Sequence, residues 1–500
     1  MLDRFDPAVD PTFPAVDPAR LAAALGAVIP ADRLILTPEG MRPYETDALA
    51  AYRSLPGAVV LPADAAEVRA ALKVARELGV PLVPRGAGTG LSGGALPYPR
   101  GILMSFGKLN RILAIDPAAR TARVQPGVRN LAISEAAAPF GLFYAPDPSS
   151  QLACSIGGNV AENAGGVHCL KYGLTVHNLL SVTLETIEGE TLAIGGGEAL
   201  DTPGFDLLAL ITGSEGLLGV VTEITVRLTP LPADVRTLLA AFPHTHGAAR
   251  AVADIIAAGI IPAGLEMMDG LALRAAETYA HAGYPLDAEA ILICECDGEP
   301  ADADDEVARI ADLCRAAGAS LVRRAADGAE RQRLWAGRKG AFPAMGRYAP
   351  DYYCMDGTIP RRRLPEVLDG IAALAREHGL AVANVFHAGD GNLHPLILYD
   401  ASAPGELSRS EKLGGAILEL CVGAGGTITG EHGVGREKLN QMCVQFSPAE
   451  LETFAALKAA FDPAGLLNPG KTIPTLPRCA EYGGMHVHRG ASPHGDLPRF

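Results

Sequence analysis

The chain has no CxxC pair among its nine cysteines, and only Cys294 and Cys296 lie close together. Neither an iron–sulfur signature nor a disulfide framework can be read from that spacing, and a reducing, cytoplasmic setting fits it best. Long apolar runs are missing too: none reaches the ~18 residues of a membrane span, and the opening Met1-Leu2-Asp3-Arg4 is not a cationic start followed by an apolar core. Membrane association is therefore expected only through partners. Positive charge is short, with 42 Lys and Arg against 57 Asp and Glu, a net charge of -15, and no basic run except Arg361, Arg362 and Arg363. That balance argues against nucleic acid, which demands a positive footprint. It also means that an anionic substrate must be drawn in by local cations rather than by the field of the whole molecule.

What is present begins with length. Five hundred residues exceed one compact core, so two or more domains are expected, with room to enclose a large ligand. Asp64 can cap a helix over 64–79 whose face carries Val68, Leu72, Ala75 and Leu78 and which Gly79 ends. The apolar run Val80 to Val83 then reads as a strand. Further strands are expected at 121–125, 181–187 and 219–228, between loops rich in Gly, Asn and Ser. Leu228 to Pro232 is the natural linker. Beyond it, helices at 247–258, 302–317, 365–378 and 408–423 alternate with strands at 289–295, 381–387 and 393–398, which suggests a sheet with helices packed on one side. Ser447, Pro448 and Glu450 form a capping-box pattern opening a last helix to Phe461. The tail after Pro474 is assigned no regular structure.

Residues 84–95 read P-R-G-A-G-T-G-L-S-G-G-A, five glycines in twelve positions directly after a strand. Glycines let backbone N–H groups crowd around a diphosphate that side chains would hold off. No Gly-Lys-Ser/Thr follows, and no long helix with a ribose-binding acid begins here, so neither familiar phosphate motif applies. Four more loops follow: P-D-P-S-S at 146–150, S-I-G-G-N-V-A-E-N-A-G-G at 155–166, Tyr172-Gly173, and G-S-E-G-L-L-G at 213–219. This ordered set resembles the FAD-binding domain of the vanillyl-alcohol-oxidase and p-cresol-methylhydroxylase (PCMH) type. The resemblance implies that Arg85, Gly86, Gly88, Thr89, Gly90, Ser92 and Gly93 embrace the pyrophosphate, and that Pro146, Ser150, Gly157, Gly158, Asn159 and Asn163 line other parts of FAD. Several members of that superfamily attach flavin through a histidine in the first loop; Thr89 stands there in this chain, so non-covalent FAD is expected.

A second constellation carries chemistry. Residues 386–395 read F-H-A-G-D-G-N-L-H-P, apolar strands flanking a Gly-Asp-Gly-Asn turn, and such a hairpin brings His387 and His394 side by side as ligands for one divalent cation. Downstream, G-E-H-G-V-G at 430–435 offers Glu431 and His432, with glycines that permit both to reach one pocket. Two imidazoles and a carboxylate suit zinc or manganese. A zinc hydrolase is a rival reading, but it leaves the glycine-rich loops unexplained. An open cation can take the carboxylate and 2-hydroxyl oxygens of a small 2-hydroxy acid together; His432, if unligated, can act as base while hydride leaves for flavin. Arg338, in W-A-G-R at 335–338, is a candidate carboxylate anchor, or else a surface arginine within the charged run 331–339.

With D-Y-Y-C-M-D-G-T-I-P-R-R at 351–362 and L-L-N-P-G-K at 466–471, these segments resemble the metal-dependent, FAD-linked 2-hydroxy-acid dehydrogenases, over nearly the whole chain. The resemblance implies His387, His394 and Glu431 as metal ligands, His432 as the base and Arg338 as substrate anchor. The implied fold is α+β: a PCMH-type FAD-binding domain of two α+β subdomains (55–232) after an N-terminal segment (1–54). A C-terminal FAD-linked oxidase cap domain with an antiparallel sheet and helices (233–440) follows, and a C-terminal helix and tail (441–500) return to the FAD domain. Dicarboxylate-handling members place a basic residue just ahead of the counterpart of Asp356, where this chain has Tyr353, Cys354 and Met355; a short monocarboxylate such as glycolate is expected, with D-lactate oxidation or a non-catalytic flavin-binding subunit as the alternatives. A chain without its own iron–sulfur signature or haem-attachment motif needs partners for the electrons. The resemblance implies a second flavin-type subunit and an iron–sulfur subunit leading toward membrane quinone, placing the chain in the cytoplasm, peripheral to the inner membrane.

Overall fold

A computed structural model describes residues 13–196, 204–474 and Cys479; the expectation for the tail falls largely outside them. Local capping fixes the first elements. The Asp64 side chain accepts from the Glu67 amide, and the helix Ala65–Leu78 ends on Gly79 at φ 64°, a left-handed turn that only glycine adopts without penalty. Its buried Val68, Ala71, Leu72 and Ala75 pack on the strands Ala58–Val60, Leu82–Arg85 and Ile102–Ser105. These three run parallel in a four-stranded sheet whose fourth member is Leu34–Ile35.

The strand expected at 80–83 lies at Leu82–Arg85, with Pro84 inside it. Proline cannot donate to a ladder, and the strand tolerates it because it is the last of its sheet. Its open side is met by the far end of the chain: the Leu82 amide donates to the Leu466 carbonyl and the Asn468 amide to the Leu82 carbonyl, each at 2.8 Å.

A second sheet is antiparallel and five-stranded, in the order Ile112–Asp116, Thr121–Val124, Val220–Arg227, Leu179–Glu185, Thr191–Gly195. Helices Asn130–Ala137 and Ile156–Glu162 cover it through Ile133, Ala137, Ile156 and Val160. The linker is less free than its prolines suggest, since Thr229–Pro230 pairs with Leu142–Phe143 and the Leu231 amide donates to Gly141.

The second half is built on a seven-stranded antiparallel sheet, ordered Leu321–Arg324, Asp234–Phe242, Ala290–Gly298, Gly264–Asp269, Ala381–Phe386, Pro395–Tyr399, Asp351–Cys354. Helices pack on both of its faces, not on one. Leu238, Ala240 and Phe242 face the helices Thr245–Ala257, Pro300–Ala316, Leu364–His378 and Glu406–Gly423, whereas Leu239 and Ala241 face Gly270–Ala280, Gly328–Lys339 and Ala341–Ala344. The reason lies in the strands. Leu238 to Phe242 is an unbroken apolar run with no polar face to give to water, and each large side chain so buried contributes about 1.5–3 kcal/mol.

One covalent tie was not legible: Cys443 and Cys479 form a disulfide across 36 residues, and the other seven cysteines are free and buried. Among the described residues no helix is long and apolar enough to cross a membrane.

Candidate active site

A cavity of about 570 Å³ runs between the two halves, within the range of cofactor and ligand sites. The glycine-rich loop from Pro84 to Leu91 lines it, joined by Ser150, Gly157, Gly158, Asn159 and the segment 214–216, and so do His394, Glu431 and His432. Arg85 is buried, donates from Nη1 to the Thr46 carbonyl at 2.7 Å and lies over the Tyr44 ring. Gly88 sits at φ +76°, where a Cβ would fall 2.1 Å from Arg85 Nη2, and a Cβ on Gly157 would fall 2.5 Å from Pro126. At Gly90 a Cβ would meet nothing within 4 Å, so this glycine keeps open a space that any side chain would fill. A cradle of backbone facing an open cleft fits a long dinucleotide.

Arg85, Gly86, Gly88, Thr89, Gly90, Ser150, Gly157, Gly158 and Asn159 all line the cavity. The other four candidates lie behind it and hold the loops. Carbonyl Ser92 accepts from the Arg436 and Glu437 amides, and Gly93 packs on Arg436. Pro146 accepts from Asn130 Nδ2 at 3.0 Å, and Asn163, at φ 55°, closes the helix Ile156–Glu162 while its Oδ1 accepts from the Val176 amide.

In the second half, the strands Ala381–Phe386 and Pro395–Tyr399 pair so that Asn384 faces Pro395, and continuing that register turns His387 and His394 to one side. Their rings meet edge to face, with centroids 5.0 Å apart. Both Nε2 atoms converge on Oε1 of Glu431, at 3.1 Å from His387 and 3.0 Å from His394. All three residues are buried, and their ligand atoms lie within 4.8 Å of one another. Two imidazoles and one carboxylate around a common point form a donor set that fits a divalent ion. Burial opposes charge on His387, but Glu266 and Glu431 outweigh it and hold its pKa well above the usual range; the two histidines likewise hold Glu431 well below its own, against the effect of burial.

Cys354, His394 and His432 form an overlapping cluster. Its geometry is poorer, because the His394 and His432 rings are stacked 4.8 Å apart and 9° from parallel, so their lone pairs run side by side rather than toward one point. His432 lies outside the set of His387, His394 and Glu431. Its Nδ1 is buried without a hydrogen-bond partner, and burial, opposed in part by Asp356 and reinforced by His394, pushes its pKa down to about 4. A neutral imidazole of this kind can take up a proton.

Further residues complete the site. Glu266 Oε1 contacts His387 Nδ1 at 2.8 Å, and its Oε2 pairs with Arg338 Nη2 at 2.5 Å. Arg338 is thus buried rather than exposed, its Nε and Nη1 have no hydrogen-bond partner, and it is not part of the cavity lining. A carboxylate among the apolar residues Leu265, Met267 and Met268 of the strand Gly264–Asp269 was the available signal for Glu266. Asp356 accepts from the Gly430 and His432 amides, both at 3.0 Å, from Thr429 Oγ1 and from buried Lys438; burial opposes its charge, yet Lys438 and the nearby histidines keep it far below the carboxylate range. Half-buried Glu162 and buried Glu215 join the glycine-rich loop in the lining, and Glu215 accepts from the Val434 and Gly435 amides at 2.8 and 2.7 Å.

A nucleotide-sized cleft floored by glycine loops and ending on a histidine–carboxylate set defines a cofactor-dependent enzyme. Residues 56–195 match the family described as FAD binding domain, and residues 231–472 match FAD linked oxidases, C-terminal domain. The chain is 62% identical over 496 residues, 99% of each protein, to glycolate oxidase subunit GlcD of Escherichia coli (strain K12). It is 40% identical over 428 residues (86% of this chain, 91% of the relative) to GlcD of Bacillus subtilis (strain 168), and 34% over 436 (86% and 95%) to D-lactate dehydrogenase of Archaeoglobus fulgidus. Among solved structures, p-cresol methylhydroxylase superposes with a TM-score of 0.77 at 16% identity over 92% of this chain and 97% of that one. Alkyldihydroxyacetonephosphate synthase gives 0.71 at 20% over 92% and 86%; both speak to the fold. The chain belongs to the FAD-linked oxidases, among their hydroxy-acid oxidoreductases.

Proposed function

We propose that the chain is the catalytic subunit of a glycolate dehydrogenase, oxidising glycolate to glyoxylate and passing the electrons to partner subunits. The observation that carries this reading is the convergence of His387, His394 and Glu431 beside unligated His432, in a cavity that the glycine-rich loop also lines. The 62% identity to a glycolate oxidase subunit supports the substrate.

In this reading Arg85, Gly86, Gly88, Thr89, Gly90, Ser150, Gly157, Gly158 and Asn159 hold FAD non-covalently, with Ser92, Gly93, Pro146 and Asn163 supporting those loops. FAD, when bound, supplies the hydride acceptor. His387, His394 and Glu431 hold a divalent ion, zinc or manganese, whose chemistry is to polarise the substrate hydroxyl and lower its pKa. His432 accepts the hydroxyl proton, and its depressed pKa keeps it in the form that can do so. Arg338, through the Nε and Nη1 donors that no protein group uses, anchors the carboxylate. Glu266 keeps Nε2 of His387 turned to the ion by engaging Nδ1.

Because the chain has no CxxC, the electrons leave through a second flavin-type subunit and an iron–sulfur subunit, and these hold it peripherally at the inner membrane from the cytoplasmic side. A D-lactate dehydrogenase is the second reading, favoured by the relative of that name. Anaerobic mixing with glycolate and with each lactate enantiomer, while following the visible band of oxidised flavin, separates them. Fastest bleaching by glycolate is expected; a holoenzyme with full FAD and metal that glycolate does not bleach overturns the proposal.

A further inference from the structure

We propose that Lys339 is the cation that draws the carboxylate of the substrate into the cavity. The argument rests on reading this cavity as a hydroxy-acid site, but the cation itself is defined by geometry. The chain carries a net charge of -15, and Glu162, Glu215 and Glu431 add carboxylates to the lining. A small anion approaching such a cleft meets repulsion unless a local positive charge offsets it.

Among the described lining residues the permanent cations are Arg85 and Lys339. Arg85 belongs to the glycine-rich loop and is engaged with the Thr46 carbonyl. Lys339 ends the helix Gly328–Lys339, three residues ahead of Phe342. Its ammonium faces Asp147, whose backbone packs on Gly166, next to the Gly165 amide that holds Glu431, and the Phe342 ring lies 6.2 Å from that of His394. Its side chain is 37% exposed, so it stands at the rim where solvent and cavity meet.

This charge is also uncommitted. The partner facing it is Asp147, with Nζ and Oδ2 4.0 Å apart, and Asp147 is already taken: its Oδ2 meets His168 Nδ1 at 2.9 Å and its Oδ1 accepts from the His168 amide at 3.0 Å. A contact that long and that exposed contributes little, and an incoming carboxylate can replace it. Arg338, one position earlier, is turned about 100° away around the helix, where it pairs with buried Glu266. The two adjacent cations divide the work: Arg338, held by Glu266, is the inner anchor proposed above, and Lys339, in the cavity lining, captures and guides the anion. The recognised chemistry is a small carboxylate anion, and the step is capture and guidance rather than bond making.

The test uses the holoenzyme as wild type, Lys339→Met and Lys339→Arg. Three quantities are followed from about 0.01 M to about 1 M salt, over which the screening length falls from about 30 Å to about 3 Å. These are kcat and KM for glycolate, and the Kd of oxamate, an unreactive carboxylate without a C2 hydrogen, read from the shift it causes in the flavin band. Lys339→Met is expected to raise KM and the oxamate Kd about ten-fold at low salt and to flatten their salt dependence, with kcat within about two-fold of wild type. Lys339→Arg should restore both. Unchanged KM, oxamate affinity and salt slope in Lys339→Met, at normal FAD content and unfolding midpoint, overturn the proposal. Should glycolate not reduce the wild-type flavin, the substrate reading fails by itself, and the oxamate measurements still decide the role of Lys339.

Discussion

The carboxylate of Glu431 accepts a hydrogen bond from the amide of Gly165 at 2.9 Å, so a backbone group of the FAD-binding half orients a side chain of the histidine–carboxylate set in the other half. A Cβ on residue 165 would fall 2.8 Å from Glu431 Oε2 and 2.8 Å from Leu174 Cδ2. Gly165→Ala is therefore expected to tilt the carboxylate and weaken metal affinity by about 10–100-fold while FAD stays bound. Metal content after dialysis, compared with flavin absorbance, checks it; a variant that keeps its metal through dialysis counts against Glu431 as a ligand.

His432→Ala should retain FAD and metal but slow flavin reduction by substrate by about 10²–10⁴-fold, the usual contribution of a positioned base. Stopped-flow absorbance under anaerobic conditions measures this. Bleaching at the wild-type rate would remove His432 from the mechanism.

Asp356 is fully buried with Lys438 and collects the amides of the 429–432 loop. Asp356→Asn leaves that lysine charged without its partner, and breaking a buried pair in this way costs about 3–5 kcal/mol. Urea unfolding should register the loss, and activity should fall with it because Glu431 and His432 ride on the same loop. An unchanged midpoint would mean that the loop is held by other contacts.

His168 joins the two halves through Asp147 and Glu295, at 2.9 and 3.3 Å. Burial works against its charge, but the two carboxylates prevail and raise its pKa to about 10, against about 6.5 when unfolded. A raised pKa stabilises the protonated fold: the contribution is complete below about pH 6.5 and drains away as pH climbs toward about 10. Unfolding midpoints measured across that window should decline in wild type, and the part due to this residue should be missing from the slope of His168→Gln. Equal slopes in the two proteins would refute the assignment.

Much of this architecture is written locally. Asp64 and Gly79 announce the helix Ala65–Leu78, and Ser447 with Glu450 forms the capping box of Pro448–Phe461, because caps act between residues three or four apart. The hairpin that joins His387 to His394 was readable for the same reason. Buried strands were harder: Asp234–Phe242 and Gly264–Asp269 lack the alternation that marks a half-exposed strand, and with them went the second face of the large sheet. Glu266, Asp356 and Lys438 lay beyond reach since their partners come from distant segments, as did the pairing of Cys443 with Cys479, which spacing alone does not dictate. Arg338 was singled out from the sequence, but its burial against Glu266 emerged only with the fold.

The seam between Leu82 and the stretch from Leu466 to Asn468 has a kinetic meaning. The strand carrying Arg85 into the cofactor loop receives its neighbour only after residues 466–468 have been synthesised, long after the strand itself. On the ribosome, the amino-terminal half must wait with an unpaired edge, a situation that invites misassembly and favours chaperone attention. Shortened chains that stop before residue 466 should accordingly fail as folding units rather than survive as separate cofactor-binding fragments.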